Sequence, residues 1–254
     1  MISIIVPSIR NSLQRYVDSI DASLEEEYEL IVVSPERRRV ITTPLMVRYK
    51  CIIDSGSPSR CLQRGILASD SSIFTWGTDD GVLFPGALKE CVDLLRGVWP
   101  DFYHCKDGVV IKYTEEGPGT FTGACDEYYV AKYHEANRQP GIDPDWITAP
   151  VGMYSKHYWC SLGGFDCRFE HINMNMHDFA YRLQKDGGKL HYSPKVVMHC
   201  DSNNWGSDHR VLDDAYNRND LPLFKELYKD DSRQIKIDVC NWEKSPSVWR
   251  RYTP

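Results

Sequence analysis

The first hundred residues alternate between strand-like and helix-like segments, and this alternation constrains the fold more than any other feature. Four short apolar runs are typical of strands, at residues 2–7, 29–33, 45–53 and 72–76. Helical patterns lie at residues 11–24, 59–68 and 87–95. Such alternation predicts a mostly parallel sheet covered by helices. With 254 residues, the chain is long enough to give that sheet a full core.

Two adjacent acids, Asp79 and Asp80, follow the strand-like run at residues 72–76. The carboxyl ends of strands in an open α/β sheet border the crevice in which ligands bind. Carboxylates beside phosphates need a cation between them, so the pair indicates a divalent metal that holds a nucleotide diphosphate. The alternative interpretation is a solvated acidic turn.

Charge and cysteine content narrow the class of protein. The net charge is −6, from 36 acidic residues against 30 Lys and Arg. This argues against a broad nucleic-acid or membrane-surface patch, although not against a local basic groove. The N-terminus lacks the pattern of a signal peptide, and no apolar run approaches about 18 residues. Nine scattered cysteines without a C-x-x-C pair favour reduced thiols over a zinc site, so we expect a cytoplasmic protein.

The second half of the chain is less regular. We expect a hairpin at residues 101–113 that turns at Asp107 and Gly108, and a long polar loop with a short helix at 114–148. Helices are predicted at residues 155–162, 178–185 and 211–228, and strands at 189–192 and 196–200. Residues 230–254 form a polar tail.

Five segments resemble, in the same order, those of glycosyltransferases with the GT-A fold, and most closely the family-2 type. They are ISIIVPSIRNSLQRYVDSI, YELIVVSPE, GSPSRCLQRGILASDSSIFTWGTDDGVLFPGAL, APVGMYSKHYWCSLGGFDCRF and MHDFAYRLQKDGGKLHYSP. The resemblance covers residues 1 to about 200. It implies an α/β fold in which a Rossmann-like nucleotide-binding sheet has helices on both faces and continues into an acceptor-binding half.

The resemblance also implies a division of the chain. Residues 1–229 would form a single glycosyltransferase domain, with a nucleotide-sugar-binding half at 1–100 and an acceptor and catalytic half at 101–229. The family's turn after the first strand faces the base and ribose, and its later motifs meet the base and the diphosphate. The residues of this chain at those positions are Pro7, Ser8, Arg10, Glu36, Asp54, Gln63, Arg64, Thr78 and Asp79.

Several of these positions have an ordinary alternative. Arg10 and Arg64 fit the role of a surface charge as well as that of a phosphate contact. The alternative for Asp54 is an acid in the turn before Gly56. Glu36 stands near a position where the family usually has a base-reading acid, so the identity of the base is left open. The neighbouring run Arg37–Arg39 is interpreted as a solvated face rather than a nucleic-acid site.

The family's acidic motif is usually Asp-x-Asp, and its leading Asp falls on Gly77 or Thr78 here. The resemblance therefore implies Asp79 and Asp80 as metal ligands, with His199 at the end of VVMH as a distal ligand for Mn²⁺ or Mg²⁺. The alternative for His199 is a satisfied core residue.

The resemblance places the general base at the N-terminus of the predicted helix 178–185, on Asp178. His177, which stands where the family commonly has Glu, is a weaker candidate. The alternative for Asp178 is a helix N-cap. Loop aromatics that could stack on a sugar ring are Tyr128, Tyr129, Trp146, Trp205 and His209.

The function implied is metal-dependent transfer of a hexosyl or pentosyl group from a nucleotide-diphosphate donor to an acceptor hydroxyl, on a glycan or another molecule, with inversion. One alternative is a DNA-base glucosyltransferase of viral type, which the acidic net charge disfavours. Another is a non-catalytic module of the same fold that binds a sugar nucleotide or a glycan.

Overall fold

A computed structural model describes residues 1–99, 101, 103–116, 151–201, 214–229 and 233–238. Within these residues eight strands form one sheet. The strands are β1 Ile2–Pro7, β2 Tyr28–Ser34, β3 Met46–Ile53, β4 Ile73–Trp76, β5 Gly81–Leu83, β6 Gly108–Glu116, β7 Gly152–Ser155 and β8 Leu190–Asp201. The helices are α1 Leu13–Leu24, α2 Pro58–Ala68, α3 Ala87–Val98, α4 Lys156–Ser161, α5 Ile172–Lys185 and, after a π-helical turn at Tyr216–Asp220, α6 Leu221–Leu227.

The sheet has the strand order β3-β2-β1-β4-β7-β6-β8-β5. The first four of these strands are parallel, as the alternating sequence predicted. The other half is mixed, because β7 runs antiparallel to both β4 and β6, and β5 runs antiparallel to β8. The prediction of a mostly parallel sheet therefore holds for the part of the sheet formed by β1 to β4.

Both faces of the sheet are covered, because neighbouring residues of a strand point to opposite sides. Ile4 of β1 packs in a cluster with α1 and α3, whereas Ile5 packs in a second cluster with α2, α4 and α5. Both side chains are completely buried. Burial of such a side chain contributes roughly 1.5–3 kcal/mol, so the two clusters hold the strand ends in fixed positions.

The predicted hairpin at residues 101–113 is wrong. Residues 108–116 form β6, which pairs with β7 and β8 rather than with the preceding segment. Asp107 does not make a turn between two strands. Its carboxylate accepts a hydrogen bond from the Lys189 backbone N–H at 2.9 Å and lies 2.9 Å from His191 Nε2. It therefore ties the start of β6 to β8.

Two further boundaries differ from the prediction. Helix α5 begins at Ile172, six residues before the predicted start, because the apolar pattern continues upstream through residues 172–176. The described part of the predicted tail, residues 233–238, packs against the domain. Ile237 N–H donates to the Leu162 carbonyl at 3.2 Å, and Arg233 is buried. Among the described residues, no helix is both long and apolar enough to cross a membrane.

Candidate functional site

The carboxyl ends of the four parallel strands lie along one edge of the sheet. Backbone hydrogen bonds of 2.9 Å continue the ladder just past the strands, from Ser8 to Val33 and from Gly77 to Ile5. The same edge carries most of the predicted donor-site residues, which are Pro7, Ser8, Arg10, Glu36, Asp54, Thr78 and Asp79. The parallel topology therefore brings together residues that are up to about 70 positions apart in the sequence.

Asp79 holds the loop that follows β1. Its carboxylate accepts hydrogen bonds from the backbone N–H of Ile9 at 2.7 Å and of Arg10 at 2.6 Å, both on Oδ2. Its Oδ1 accepts from Arg10 Nη1 at 3.1 Å, and its backbone carbonyl accepts from the Ser12 hydroxyl at 2.5 Å. The side chain is 2% exposed, so this acid acts here as an anchor for the loop.

Arg10 also contacts Asp80, and its guanidinium lies between the two acids. Arg10 Nη1 is 3.1 Å from Asp79 Oδ1 and 3.1 Å from Asp80 Oδ2. The second oxygen of Asp80 accepts a hydrogen bond from the Thr78 hydroxyl. All four carboxylate oxygens therefore have a donor already. In this arrangement the acidic pair does not fit a divalent cation, because the cation would have to displace Arg10.

A close contact leaves no room for a side chain at residue 77. A Cβ built on Gly77 would lie 2.0 Å from the hydroxyl oxygen of Tyr16. Tyr16 is 1% exposed and belongs to the α1 cluster, so it cannot move aside cheaply. Any side chain at position 77 would overpack this contact.

His199 lies on a strand next to the acidic pair. It pairs with Val82 in the β5–β8 ladder, and two residues further on the Asp201 backbone N–H donates to the Asp80 carbonyl at 3.0 Å. The predicted approach of β8 to the acidic turn is thus present in the backbone. Within the described residues, however, no three His, Cys, Asp or Glu side chains converge on one point. The metal role of Asp79, Asp80 and His199 stays a prediction.

Asp54, at the end of β3, is surrounded by donors. Arg60 Nε lies 2.8 and 3.0 Å from its two oxygens, Arg64 makes a short ion pair with it, and the Gly56 backbone N–H donates at 2.7 Å. Burial alone would raise the pKa of this carboxyl, but the arginine hydrogen bonds hold the pKa below its usual value. The contact of Asp54 with the base, and of Arg64 with a diphosphate, stay predictions.

Gln63 is used inside the protein. Its side chain is 1% exposed, and its Oε1 accepts hydrogen bonds from Trp159 Nε1 at 3.2 Å and from the Phe165 backbone N–H at 3.0 Å. The amide therefore fastens α2 to the Gly-Gly-Phe-Asp turn. The predicted contact of Gln63 with the nucleotide stays a prediction.

Asp178 lies in the interior of α5, and its predicted place at a helix N-terminus is wrong. Its carboxylate is completely buried and accepts hydrogen bonds from Arg182 at 2.9 Å, from the Tyr228 hydroxyl at 2.7 Å and from Arg233 at 2.7 and 2.9 Å. Burial alone would raise its pKa, but the two arginines lower the pKa to about 2. In this arrangement the carboxylate is hydrogen-bonded to the protein and is not exposed to solvent.

The buried cluster around Asp178 was not expected from the sequence. Arg233, in the predicted polar tail, also donates to Asp166 at 2.9 Å, so the tail joins α5 to the Gly-Gly-Phe-Asp turn. A lone Arg in a polar segment carries no signal of burial. His177, the weaker base candidate, is 6% exposed and precedes Asp178 on the same helix. Its catalytic role stays a prediction.

A basic cleft lies beside Arg10, between the loops that follow β1 and β2. Its cavity has a volume of about 530 Å³. It is lined by Arg10, Asn11, Leu13, Gln14, Arg37, Arg38 and Arg39. The exposure of Arg37 and Arg39 agrees with the sequence interpretation of a solvated face. The cleft itself was not predicted, because only the fold brings the two loops together. Glu36 is mostly exposed and pairs with Arg38 at 3.0 Å.

The loop aromatics that could stack on a sugar lie outside the described residues. They are Tyr128, Tyr129, Trp146, Trp205 and His209.

Comparison with known proteins identifies the fold. No family model and no curated protein matches the sequence. The crystal structure of S. aureus TarS 1–349 is similar with a TM-score of 0.53, at 10% identity, over 85% of this chain and 72% of that one. A second S. aureus TarS structure has a TM-score of 0.51 at 12% identity, over 97% of this chain and 47% of that one, so this chain spans about half its length. The predicted GT-A fold, of which TarS is a family-2-like example, is confirmed.

Proposed function

We propose that this protein is a glycosyltransferase that moves a sugar from a nucleotide-diphosphate donor to an acceptor hydroxyl. The observation that carries the proposal is the edge at the carboxyl ends of β1–β4, where Ser8, Arg10 and Asp79 stand beside a basic cleft on a GT-A sheet. This edge is where an open α/β sheet binds a nucleotide. The Ser8 hydroxyl is buried there and has no hydrogen-bond partner among the described residues, so it is available to a ligand.

The proposed reaction is a single displacement with inversion. The acceptor oxygen forms a bond to the anomeric carbon while the bond from that carbon to the phosphate oxygen breaks. The electron pair leaves with the nucleoside diphosphate, and the acceptor proton passes to a base. We propose that residues 1–229 act as one domain, with residues 1–100 holding the donor and 101–229 the acceptor and the base. The continuity of the sheet across both halves supports this division.

Asp178 remains the predicted base, with His177 as the second candidate. The hydrogen bonds to Asp178 speak for a structural role, so base catalysis there requires the Arg233 segment to withdraw. Metal dependence is not carried into the proposal, because Arg10 occupies the place between the acids that a cation would take. We also propose a cytoplasmic location, supported by the free thiols of the seven described cysteines.

A panel of nucleotide sugars tests the proposal. We expect one donor to raise the melting temperature and to be hydrolysed or transferred, since a ligand present at 100 times its Kd stabilises the folded state by about 2.7 kcal/mol. Replacing Asp79 and Asp80 together with Ala should abolish donor binding, because the loop after β1 loses its anchor. Asp93→Ala is the control, since Asp93 is an exposed acid paired with Lys89 on α3. If no sugar nucleotide binds the wild-type protein, the proposal is wrong.

A second candidate is a binding module that does not catalyse transfer. The buried, hydrogen-bonded state of Asp178 favours it, because no other acid has been assigned as the base. The two candidates differ in one measurement. A binding module would gain stability from a sugar nucleotide yet release no nucleoside diphosphate, even after prolonged incubation with a broad set of acceptors.

A further inference from the structure

We infer that the basic cleft binds the diphosphate of the donor through arginines, without a metal ion. The inference rests on the proposed function for the identity of the ligand. It starts from the position of Arg10, whose guanidinium contacts Asp79 and Asp80 at 3.1 Å each. The acids that would hold a cation are therefore already neutralised in part by a cation of the protein itself.

Hydrogen bonds hold the two walls of the cleft together, and Arg38 makes them. From the loop after β2, Arg38 donates to the Ile9 carbonyl at 2.9 Å and to Asn11 Oδ1 at 3.3 Å, both in the loop after β1. It also donates to the Ser34 hydroxyl at 3.2 Å and pairs with Glu36. Because its side chain is 15% exposed, Arg38 fixes the width of the cleft.

Two arginines of the cleft have no hydrogen-bond or ion-pair partner in the part of the chain that the structure describes. Arg37 and Arg39 are exposed, and neither makes a hydrogen bond or an ion pair with another described residue. The lining contains four arginines and no acid. These four guanidinium groups stand against the three carboxylates of Asp79, Asp80 and Glu36, which Arg10 and Arg38 contact, so one net positive charge remains at the cleft. Such a surplus of like charge at one place attracts an anion and stabilises it when bound.

The excess positive charge suits an anionic ligand. The diphosphate of a sugar nucleotide carries one formal negative charge on each phosphorus. Guanidinium groups bind phosphate oxygens with two parallel hydrogen bonds, which a single arginine can direct at one phosphate. When the sugar leaves, the terminal phosphate gains the electron pair of the broken bond. Arg37 and Arg39 then stabilise the charge that develops, as a metal ion does in other sites.

The test measures binding of inorganic pyrophosphate, UDP, GDP and UMP to the full chain by calorimetry, in EDTA and again with Mn²⁺. We expect pyrophosphate and at least one nucleoside diphosphate to bind in EDTA, with less than a twofold change on adding Mn²⁺. The double variant Arg37→Gln Arg39→Gln should weaken binding by roughly 10–100-fold. The control Arg96→Gln Arg218→Gln removes the same charge from exposed residues elsewhere and should change the Kd less than twofold.

The outcomes separate this inference from the proposed function. One outcome is that binding disappears in EDTA and returns with Mn²⁺, both in the Arg37/Arg39 variant and in the wild type. This outcome overturns the inference and leaves the proposed glycosyltransferase function standing. Binding of pyrophosphate in EDTA together with failure of every sugar nucleotide supports the arginine site and overturns the proposed function. Equal loss of binding in the Arg96/Arg218 control would refute a local site, since only net charge would then matter. Both variants should melt within about 2 °C of the wild type, because surface substitutions of this kind are nearly neutral.

Discussion

Replacing Asp178 with Asn removes one negative charge from a cluster that holds two buried guanidinium groups. Arg182 and Arg233 both donate to this carboxylate, and their side chains are 0% and 2% exposed. Breaking a buried ion pair by removing one partner costs about 3–5 kcal/mol. In a domain of this size the melting temperature falls by about 2–4 °C for each kcal/mol of lost stability, so we expect it to fall by roughly 6–20 °C.

The pH dependence of stability gives a second value for the contribution of the Asp178 carboxylate to folding. The pKa of Asp178 is lowered from 3.8 to about 2 in the folded state. At about 1.4 kcal/mol per pH unit, the ionised form contributes roughly 2 kcal/mol to folding. Because the folded pKa is depressed, this stability is fully present above pH 4 and is lost as the pH falls towards 2. The Asp178→Asn variant has no carboxylate to protonate at this position, so acid does not cause this loss in the variant. The free energies of unfolding of the wild type and the variant should therefore converge at low pH.

Denaturant unfolding at several pH values between 2 and 7, followed by circular dichroism, measures both effects. Asp93→Asn is the matched control, because Asp93 belongs to an exposed pair on α3 that contributes less than about 1 kcal/mol. Turnover of the donor is measured in parallel, well below both melting temperatures. A variant that unfolds like the wild type but loses roughly 10²–10⁴ in turnover would refute the structural assignment and support Asp178 as the base.

Three further perturbations follow from buried contacts. Burial raises the pKa of Glu170 from 4.5 to about 7, so the ionised carboxylate destabilises the folded state at high pH. Glu170→Gln should therefore raise the free energy of unfolding by about 3 kcal/mol at pH 8 and leave it unchanged at pH 4, as measured by denaturant titration. An equal effect at both pH values would contradict this prediction. Gly163→Ala should lower the melting temperature, since φ is +87° and the new Cβ would lie 2.0 Å from the Ile237 carbonyl oxygen; calorimetry that shows no change would disprove this contact. Gly77→Ala should lower the free energy of unfolding by about 1–3 kcal/mol, because the new methyl group clashes with Tyr16. In a Tyr16→Phe background the same substitution should lower it by less, as measured in the same unfolding assay.

The local patterns of the sequence were enough to predict the first half of the sheet and its family resemblance. The runs Ile2–Pro7 and Tyr28–Ser34 are short, apolar and rich in β-branched residues, and the spacing between them leaves room for one helix. Parallel strands joined by helices then place all carboxyl ends at one edge. This is why the sequence could predict that the residues near Ser8 and Asp79 lie close together.

The sequence could not determine which acids are free and which are already paired. Asp178 and Asp79 stand at positions that the family resemblance marks as functional, yet each accepts hydrogen bonds from donors that lie about 50–70 residues away in the chain. Ion pairs of this range depend on tertiary packing and leave no periodic signal. The same holds for Arg233, which sits in a polar segment and is nevertheless buried.

The basic cleft was likewise decided only by the tertiary structure. Arg37–Arg39 are three charges in a row, which in most chains form a solvated surface. Here the parallel pairing of β1 with β2 sets their loop against the loop that contains Arg10, and Arg38 bonds the two loops together. The residue types are fixed by the sequence, whereas the excess of positive charge at one point arises because two distant loops share one edge of the sheet.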